Sequence, residues 1–556
     1  MDFKEGSFKI EYYVGDEKTK QTTFETEQLK VTCKISEGIS LFIIPKTEIK
    51  LSNLSLEFKR VFKKESKFFA NGYQSWTTSR EYSMNDKEDR LTKIADILRP
   101  LKPLAAISGD YLFRHHSKKP GVITSYTYAY IREGSEIELI GSLSEKEGFT
   151  LITADMNQDT LTLSKDIDGL VIKEPTEIIN VRIYKDNYEN AFDRYVKEAG
   201  YKKPRINLLT GYTSWYNYFQ KIDENIILRD LDGLDRCKEK VSIFQIDDGY
   251  ETFVGDWLDK SEKFPRGMKY IADKIHDKGY LAGIWLAPFN VQRKSKTAKE
   301  HPDWLIKNKS GKPLLGCAGW GGAYTLDIYN PEVRQHIKNV FNVVLDDWKY
   351  DMVKLDFLYS QCMQPRNGKS RGAIMDYAMA FLRECVGDKL MLGCGVPLGS
   401  AFGYVDACRI SCDVDLSFKG RYYNKLHINC EIPSAKNAIT NTIFRRHLNN
   451  RFFVNDPDVF FLRDINLKFT QKQKHLLAKI NNMFGNVLFI SDDAGKYEDR
   501  EISFLKKAFT KTETKVIIAE FVDKETIKIT YTESESPMEK TLKFNIKTGE
   551  TAGELL

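Results

Sequence analysis

The sequence is first informative for what it lacks. No apolar run approaches the ~20 residues that a membrane-spanning helix needs, and the amino terminus, MDFKEGSFKIEYY, has no signal-type apolar stretch. Export and membrane insertion are therefore not expected, and a cytoplasmic location is. The nine cysteines are scattered, with no C-x-x-C pair and no Cys/His cluster at zinc spacing. An odd number of dispersed cysteines without a secretion signal predicts reduced thiols instead of a disulfide framework. Neither sign of charge dominates: 84 basic and 78 acidic residues are interspersed for a net charge of +6. That is a solvated mixed surface, which argues against a nucleic-acid partner. Low-complexity segments, fixed-period repeats and a Gly-rich phosphate loop are missing as well.

At 556 residues the chain is too long for one ordinary domain. Residues 1–187 read as short extended segments broken by charged turns, among them SFKIEYYVG, KVTCKIS, ISLFIIP, LSLEFKRVF, SYTYAYI and FTLITADM. Such alternation predicts an antiparallel β-sandwich. A helical stretch from Tyr188 to Ala199 leads into a different regime. Over residues 188–509, eight apolar runs alternate with amphipathic helices: LLTGYTSW, SIFQIDDGY, LAGIWLAPF, MVKLDF, LMLGCG, CRISCD, FFVND and VLFISDD. Parallel strands need crossover helices, so eight βα units in series predict a central (β/α)8 TIM barrel. Its helices show in Met268, Ile271, Ala272 and Ile275, and in Asn330 capping Pro331 before an apolar face from Val333 to Trp348. The third unit carries a longer insertion, roughly Val291 to Ala323. Residues 510–556 return to strands and predict a small C-terminal antiparallel β domain. The fold class is thus multidomain α/β.

A barrel of this kind keeps its active site at the C-terminal ends of the strands, and carboxylates end these runs. They are Asp247 and Asp248, Asp356, Asp413, Asp456 with the carboxamide of Asn455 before it, and Asp492 and Asp493. A lone aspartate there serves as readily as a helix cap; several on one rim, with tryptophans among them, point to chemistry. Alternation puts Lys354 and Asp356 on one side of their strand, and Arg409, Ser411 and Asp413 on one side of theirs. A lysine held beside Asp356 favours the ionised form that a nucleophile needs. Two carboxylates across a barrel mouth suit a glycosidase; the retaining type sets them about 5–5.5 Å apart. The proton donor of such a pair needs burial or a nearby negative charge, which Asp415 is placed to supply. Residue types alone do not assign the two roles.

The motifs NGYQSW, TGYTSWYNYF, FQIDDGYE…GDWL…FP, GIWLAPF, HPDWL, VKLDF, LGCGVPL…RISCD and NDPD together resemble glycoside hydrolase family 36. That family comprises α-galactosidases and α-N-acetylgalactosaminidases. The resemblance runs from about Asn71 to Asp493. It implies Asp356 as nucleophile and Asp413 as acid/base, with retention of anomeric configuration. Asp247 and Asp248 would receive the O4 and O6 hydroxyls, and Lys354 and Arg409 would donate to ring hydroxyls. Trp285 would pack on the sugar's apolar face, Trp76 would reach over the mouth from the N-terminal domain, and Cys394 would line the pocket near O2. Trp215 and Trp320 are weaker members of the set, equally explained as core or loop packing. The implied partner is a saccharide or glycoconjugate ending in α-galactose or α-N-acetylgalactosamine, with hydrolysis or galactosyl transfer as outcomes. No metal and no organic cofactor is implied. A homo-oligomer is compatible, with the β domain as contact region. Two departures stand out: Tyr73 replaces a frequent tryptophan, and the segment after Asp413 offers Phe418, Tyr422 or Tyr423 where relatives carry an aromatic-lined stretch.

Overall fold

A computed structural model describes residues 2–3, 8–89, 91, 106–420, 431–534 and 536–556. Tyr422 and Tyr423 lie outside the described residues.

The N-terminal strands form two antiparallel sheets. One orders strands Glu17–Gln21, Lys9–Val14, Ile49–Lys59, Thr160–Asp166, Phe149–Asp155 and Val122–Tyr126. The other orders Leu29–Ile35, Gly38–Pro45, Thr176–Asp186, Glu136–Ser142, Tyr128–Glu133, Lys67–Ala70 and Arg80–Tyr82. Their facing side chains, including Ile10, Leu54, Ile152, Leu163, Leu41, Ile131 and Val181, make one apolar core. The second sheet is buried on its other face too. Along Tyr128–Glu133, Ala129 and Ile131 enter the sandwich core, while Tyr128 and Tyr130 belong to the larger core shared with the rest of the chain. Period-two alternation thus serves two interiors, with aromatic residues on the docking face.

The central sheet is parallel and TIM-like. Strands Leu209–Thr213, Ile243–Ile246, Leu281–Leu286, Met352–Leu355, Leu390–Gly393, Ala407–Arg409 and Val454–Asp456 pair in chain order. Pro457 and Asp458 interrupt the seventh strand, which resumes as Val459–Phe460 and pairs with Val487–Ile490. That last strand pairs with the first. Proline has no N–H for a ladder, so a break at Pro457 is expected. The predicted helices are present as Tyr188–Ala199, Met268–Asp277, Pro331–Asn342 and Gln471–Phe484. Asn187, Asn330 and Thr470 cap the first, third and fourth through side-chain oxygens. The insertion after the third strand contains a small antiparallel sheet of Asn290–Gln292, Ala323–Thr325 and Leu315–Cys317. The last strands, from Thr514–Phe521 to Thr551–Ala552, form a separate antiparallel sheet. Among the described residues no helix is long and apolar enough to cross a membrane.

His447 marks the join between the N-terminal sheet and the parallel-stranded part. Its ring stacks between Tyr188 (4.6 Å) and Phe192 (4.8 Å) and meets Tyr130 edge-on (6.3 Å). Burial, reinforced by Arg446 and Arg451, holds its pKa well below 6.5. The folded imidazole is therefore neutral, whereas the unfolded one takes a proton below its ordinary pKa. This contribution to stability is complete above the unfolded value and is lost as pH falls below it. Urea unfolding at pH 7.5 and 5.5 should show lower stability at the acid pH. His447→Phe should remove about 1 kcal/mol of that difference.

Candidate active site

The strand ends bring six aspartates together with two cations. Asp247 and Asp248 follow the second strand. Asp247 Oδ2 accepts from Lys354 Nζ (2.7 Å), Gln245 Nε2 (3.1 Å) and Thr213 Oγ1 (3.3 Å), while Oδ1 accepts the Asp248 amide (2.9 Å). Burial would raise the Asp247 pKa, but the charge and hydrogen bond of Lys354 outweigh it and hold the carboxylate below its usual range. Asp248 accepts from Gln220 Nε2 (3.0 and 3.2 Å) and from Trp320 Nε1 (2.8 Å). Next to it Glu251 is driven well above the ordinary carboxylate range, first by burial and then by the charge of Asp248. A hydrogen bond between Glu251 and Asp248 adds to the rise.

Asp356 follows the fourth strand and is buried. Its Oδ2 accepts from Trp285 Nε1 (3.2 Å), its Oδ1 accepts the Phe357 amide (2.8 Å), and Cys394 also bonds to it. Burial raises its pKa, the charge of Lys354 opposes this, and nearby Asp413 adds to the rise. The expected Lys354–Asp356 partnership is thus indirect. Both face the same region, but the Lys354 ammonium makes its short contact with Asp247, which stands opposite on the second strand.

Arg409 organises the other side. Its guanidinium reaches Asp413 (2.8 Å), Asp456 (3.2 Å) and Asp458 (3.0 Å). Asp413 is the open member, with a side chain 36% exposed, whereas Asp456 and Asp458 are buried. Asp458 also accepts from Tyr216 Oη and from the Val414 amide (2.7 Å). Burial is the main cause raising its pKa, with Asp413 and Asp456 adding to it and Arg409 opposing. Three carboxylates around one guanidinium leave surplus negative charge, which favours a proton within the group. Asp458 is thus a second carboxylate beside Asp413 on the same guanidinium, and Asp415, expected as its neighbour, is buried.

Aromatic rings wall this group. Trp285 meets Trp257 (5.8 Å) and Trp320 (6.0 Å), and Trp320 meets Phe357 (5.0 Å). Trp76 packs on Phe357 (5.2 Å) and Tyr359 (5.7 Å), and its Nε1 lies 3.4 Å from Cys394 Sγ. Trp320, Phe357 and Asp458 all hold positive φ (55°, 55° and 78°). For non-glycine residues this costs about 1–2 kcal/mol each and recurs where side chains are aimed at a site. Trp215 packs edge-on against Phe219 (5.1 Å), the residue that ends its short helix.

The other rim carboxylates are structural. Asp492 is spent on Arg463, Tyr497 and the amides of Leu462 and Arg463. Asp493 caps the turn Ala494–Lys496, and Asn455 bonds the Arg445 carbonyl (3.2 Å). Phe418 lies in the core against Phe469 (5.4 Å) and does not provide the aromatic lining expected of it. Tyr73, in place of the frequent tryptophan, packs among Phe113, Tyr126 and Phe149 with its hydroxyl 3.3 Å from Cys362 Sγ. Trp257, Glu251, Gln220 and Asp458 join the site without having been singled out. Trp257, Glu251 and Asp458 stood in the quoted motifs GDWL, DDGYE and NDPD, and Gln220 follows TGYTSWYNYF directly.

Buried and open carboxylates thus gather at one aromatic-walled end of the parallel sheet, the arrangement of a candidate acid–base site. Residues 195–381 match the Melibiase family model. An α-galactosidase of Lactobacillus acidophilus is 32% identical over 131 residues, 22% of this chain and 17% of that protein. A protein of Flavonifractor plautii named "A type blood alpha-D-galactosamine galactosaminidase" is 28% identical over 192 residues, 32% of this chain and 17% of its own length. These alignments therefore span under one fifth of each relative. A solved structure of a Thermus thermophilus α-galactosidase with p-nitrophenyl α-D-galactopyranoside superimposes with a TM-score of 0.70 at 22% identity, covering 94% of this chain and 97% of that one. The Geobacillus stearothermophilus α-galactosidase AgaA gives 0.60 at 13% identity over 93% and 75%. At those identities the likeness is one of fold.

The Lys354–Asp247 pair yields a stability prediction. Lys354→Met strands a buried carboxylate and should cost about 3–5 kcal/mol in urea unfolding. Lys354→Met combined with Asp247→Asn should recover much of the loss, because no uncompensated charge remains.

Proposed function

We propose that this protein is a retaining, exo-acting α-galactosidase, with Asp356 as nucleophile and Asp413 as acid/base. The observation that carries the reading is the pairing of two unlike carboxylates. Asp356 is buried and held by Trp285 and Cys394. Asp413 is solvent-open, beside Arg409, and close enough for its charge to act on Asp356. The Melibiase match over residues 195–381 supports the substrate class.

In this mechanism Asp356 attacks the anomeric carbon while the bond to the leaving oxygen breaks, and Asp413 delivers a proton to that oxygen. A covalent β-galactosyl ester on Asp356 results. Asp413, now ionised, takes a proton from water, which attacks the same carbon and releases the sugar with its α configuration restored. Lys354 opposes the burial that would otherwise protonate Asp356. Burial and the neighbouring carboxylates raise the pKa of Asp458, which shares the Arg409 guanidinium with Asp413, the member that meets solvent. Asp247 and Asp248 act as acceptors for O4 and O6. An axial O4 satisfies a buried acceptor that an equatorial O4 would leave unpaired, and that difference supplies selectivity. Trp285 and Trp76 offer apolar faces to the ring.

The same reading takes the chain as an N-terminal β-sandwich (1–187), a catalytic (β/α)8 barrel (188–509) and a C-terminal β domain (510–556). The confinement of each sheet to one of these ranges supports the division. The described cysteines are free thiols, which supports a reducing, cytoplasmic compartment.

Asp356→Ala should abolish turnover of an aryl α-galactoside, with azide restoring cleavage as the β-galactosyl azide. Asp413→Ala should slow turnover about 10²–10⁴-fold, least for the best leaving groups. NMR of the wild-type reaction should show α-galactose first, and the 2-acetamido substrate should be cleaved more slowly. Undiminished activity in Asp356→Ala would remove the assignment.

A further inference from the structure

The loop 71–79 joins strands Lys67–Ala70 and Arg80–Tyr82 at the edge of the seven-stranded sheet, and its tip carries Trp76 to the carboxylate group. Hairpin tips normally face water, which satisfies their backbone groups. This one is turned inward. Asn71, Gln74 and Ser75 are buried, so their polar groups need partners from the protein. Arg445, fully buried at the end of helix Ala435–Phe444, binds one acceptor on each of the three. Its Nη1 donates to the carbonyl of Ser75 (2.5 Å), Nη2 to those of Gln74 (3.0 Å) and Gly72 (3.5 Å), and Nε to Asn71 Oδ1 (3.0 Å). Nη1 also donates to the carbonyl of Ile410 (2.8 Å), the residue after Arg409. One turn earlier on the same helix face, Asn441 donates to the Thr77 carbonyl (3.0 Å) and accepts the Ser79 amide (2.8 Å). Glu431 adds a tether through Thr77 Oγ1 (2.9 Å) and Tyr111 Oη (2.9 Å).

We infer that Arg445 and Asn441 are positioning residues that set Trp76 in register with the two catalytic carboxylates. Neither is among the sugar-facing groups described above; they act through the loop. A guanidinium suits the task because its donors lie in one plane and fan out to several carbonyls at once, which an ammonium or an apolar side chain does not do. The Ile410 contact ties the loop to the strand that leads to Asp413, while Trp76 reaches the Cys394 side of Asp356. One buried cation therefore couples an N-terminal loop to both halves of the site. The inference rests on the reading of Trp76 as a cover for the bound sugar.

The test combines exchange and kinetics. In ligand-free protein, Arg445→Ala should speed amide hydrogen exchange across residues 71–79 at least tenfold while leaving helix Gln471–Phe484 unchanged. With an aryl α-galactoside it should raise KM more than it lowers kcat, as Trp76→Ala does, with kcat/KM falling at least tenfold. The Trp76→Ala/Arg445→Ala double variant should be no worse than the poorer single variant, and guanidinium chloride at millimolar concentration should partly restore Arg445→Ala but not Trp76→Ala. Should Arg445→Ala fail to fold, Asn441→Ala removes only two of the contacts and should show the same pattern more weakly. Unchanged exchange across 71–79, or losses that multiply in the double variant, would overturn the inference. Absence of wild-type turnover would count against the galactosidase reading, and the exchange result would still decide the clamp.

Discussion

Everything at the strand ends depends on one electrostatic constraint: two cations, Lys354 and Arg409, must compensate six aspartates, five of them buried. Each desolvated carboxylate is costly unless a charge or several donors compensate it. Lys354 is committed to Asp247, with its field reaching Asp356. Arg409 is divided among Asp413, Asp456 and Asp458. The remainder is met by indole N–H groups, Gln220 and backbone amides. Compensation is deliberately incomplete in effect: Glu251 and Asp458 are both pushed up by burial and neighbouring carboxylates. Both shifts favour the protonated forms, the direction that acid–base chemistry uses.

That constraint explains why the N-terminal sheet is docked so closely. A Cβ on Gly399 would lie 2.3 Å from Thr127 Oγ1, and one on Gly372 would lie 2.5 Å from the Gly148 backbone. Gly395, at positive φ, leaves room for the Trp76 ring, which a Cβ would approach to 2.9 Å. Contacts this close let the sheet exclude water from the site and deliver an aromatic ring to it. They also carry the tyrosine-rich face, Tyr128, Tyr130 and Tyr188, into the shared core.

Much of the fold was legible locally. Asn330–Pro331 and the Met268–Ile275 stripe locate helices because capping and amphipathic period are short-range effects. The strand order of the central sheet follows from the βα alternation, since parallel neighbours need crossovers. The break at Pro457–Asp458 was less visible. The short run FFVND did not show that the chain resumes pairing on the far side with the last strand.

For the site, the chain alone determined which carboxylates end strands and which of them share a side with Lys354 or Arg409, because side-chain direction in a strand has period two. It could not determine partnership. Whether Lys354 serves Asp247 or Asp356, whether Asp492 is a site residue or a clasp for Arg463, and that Asp458 and Glu251 join the group are settled by distances between residues far apart in the chain. Trp215 and Trp320 read alike in the sequence; only packing separated the one on Phe219 from the one on Asp248. Electrostatics and aromatic contact fall off over a few ångströms of space, and local sequence pattern does not measure that space.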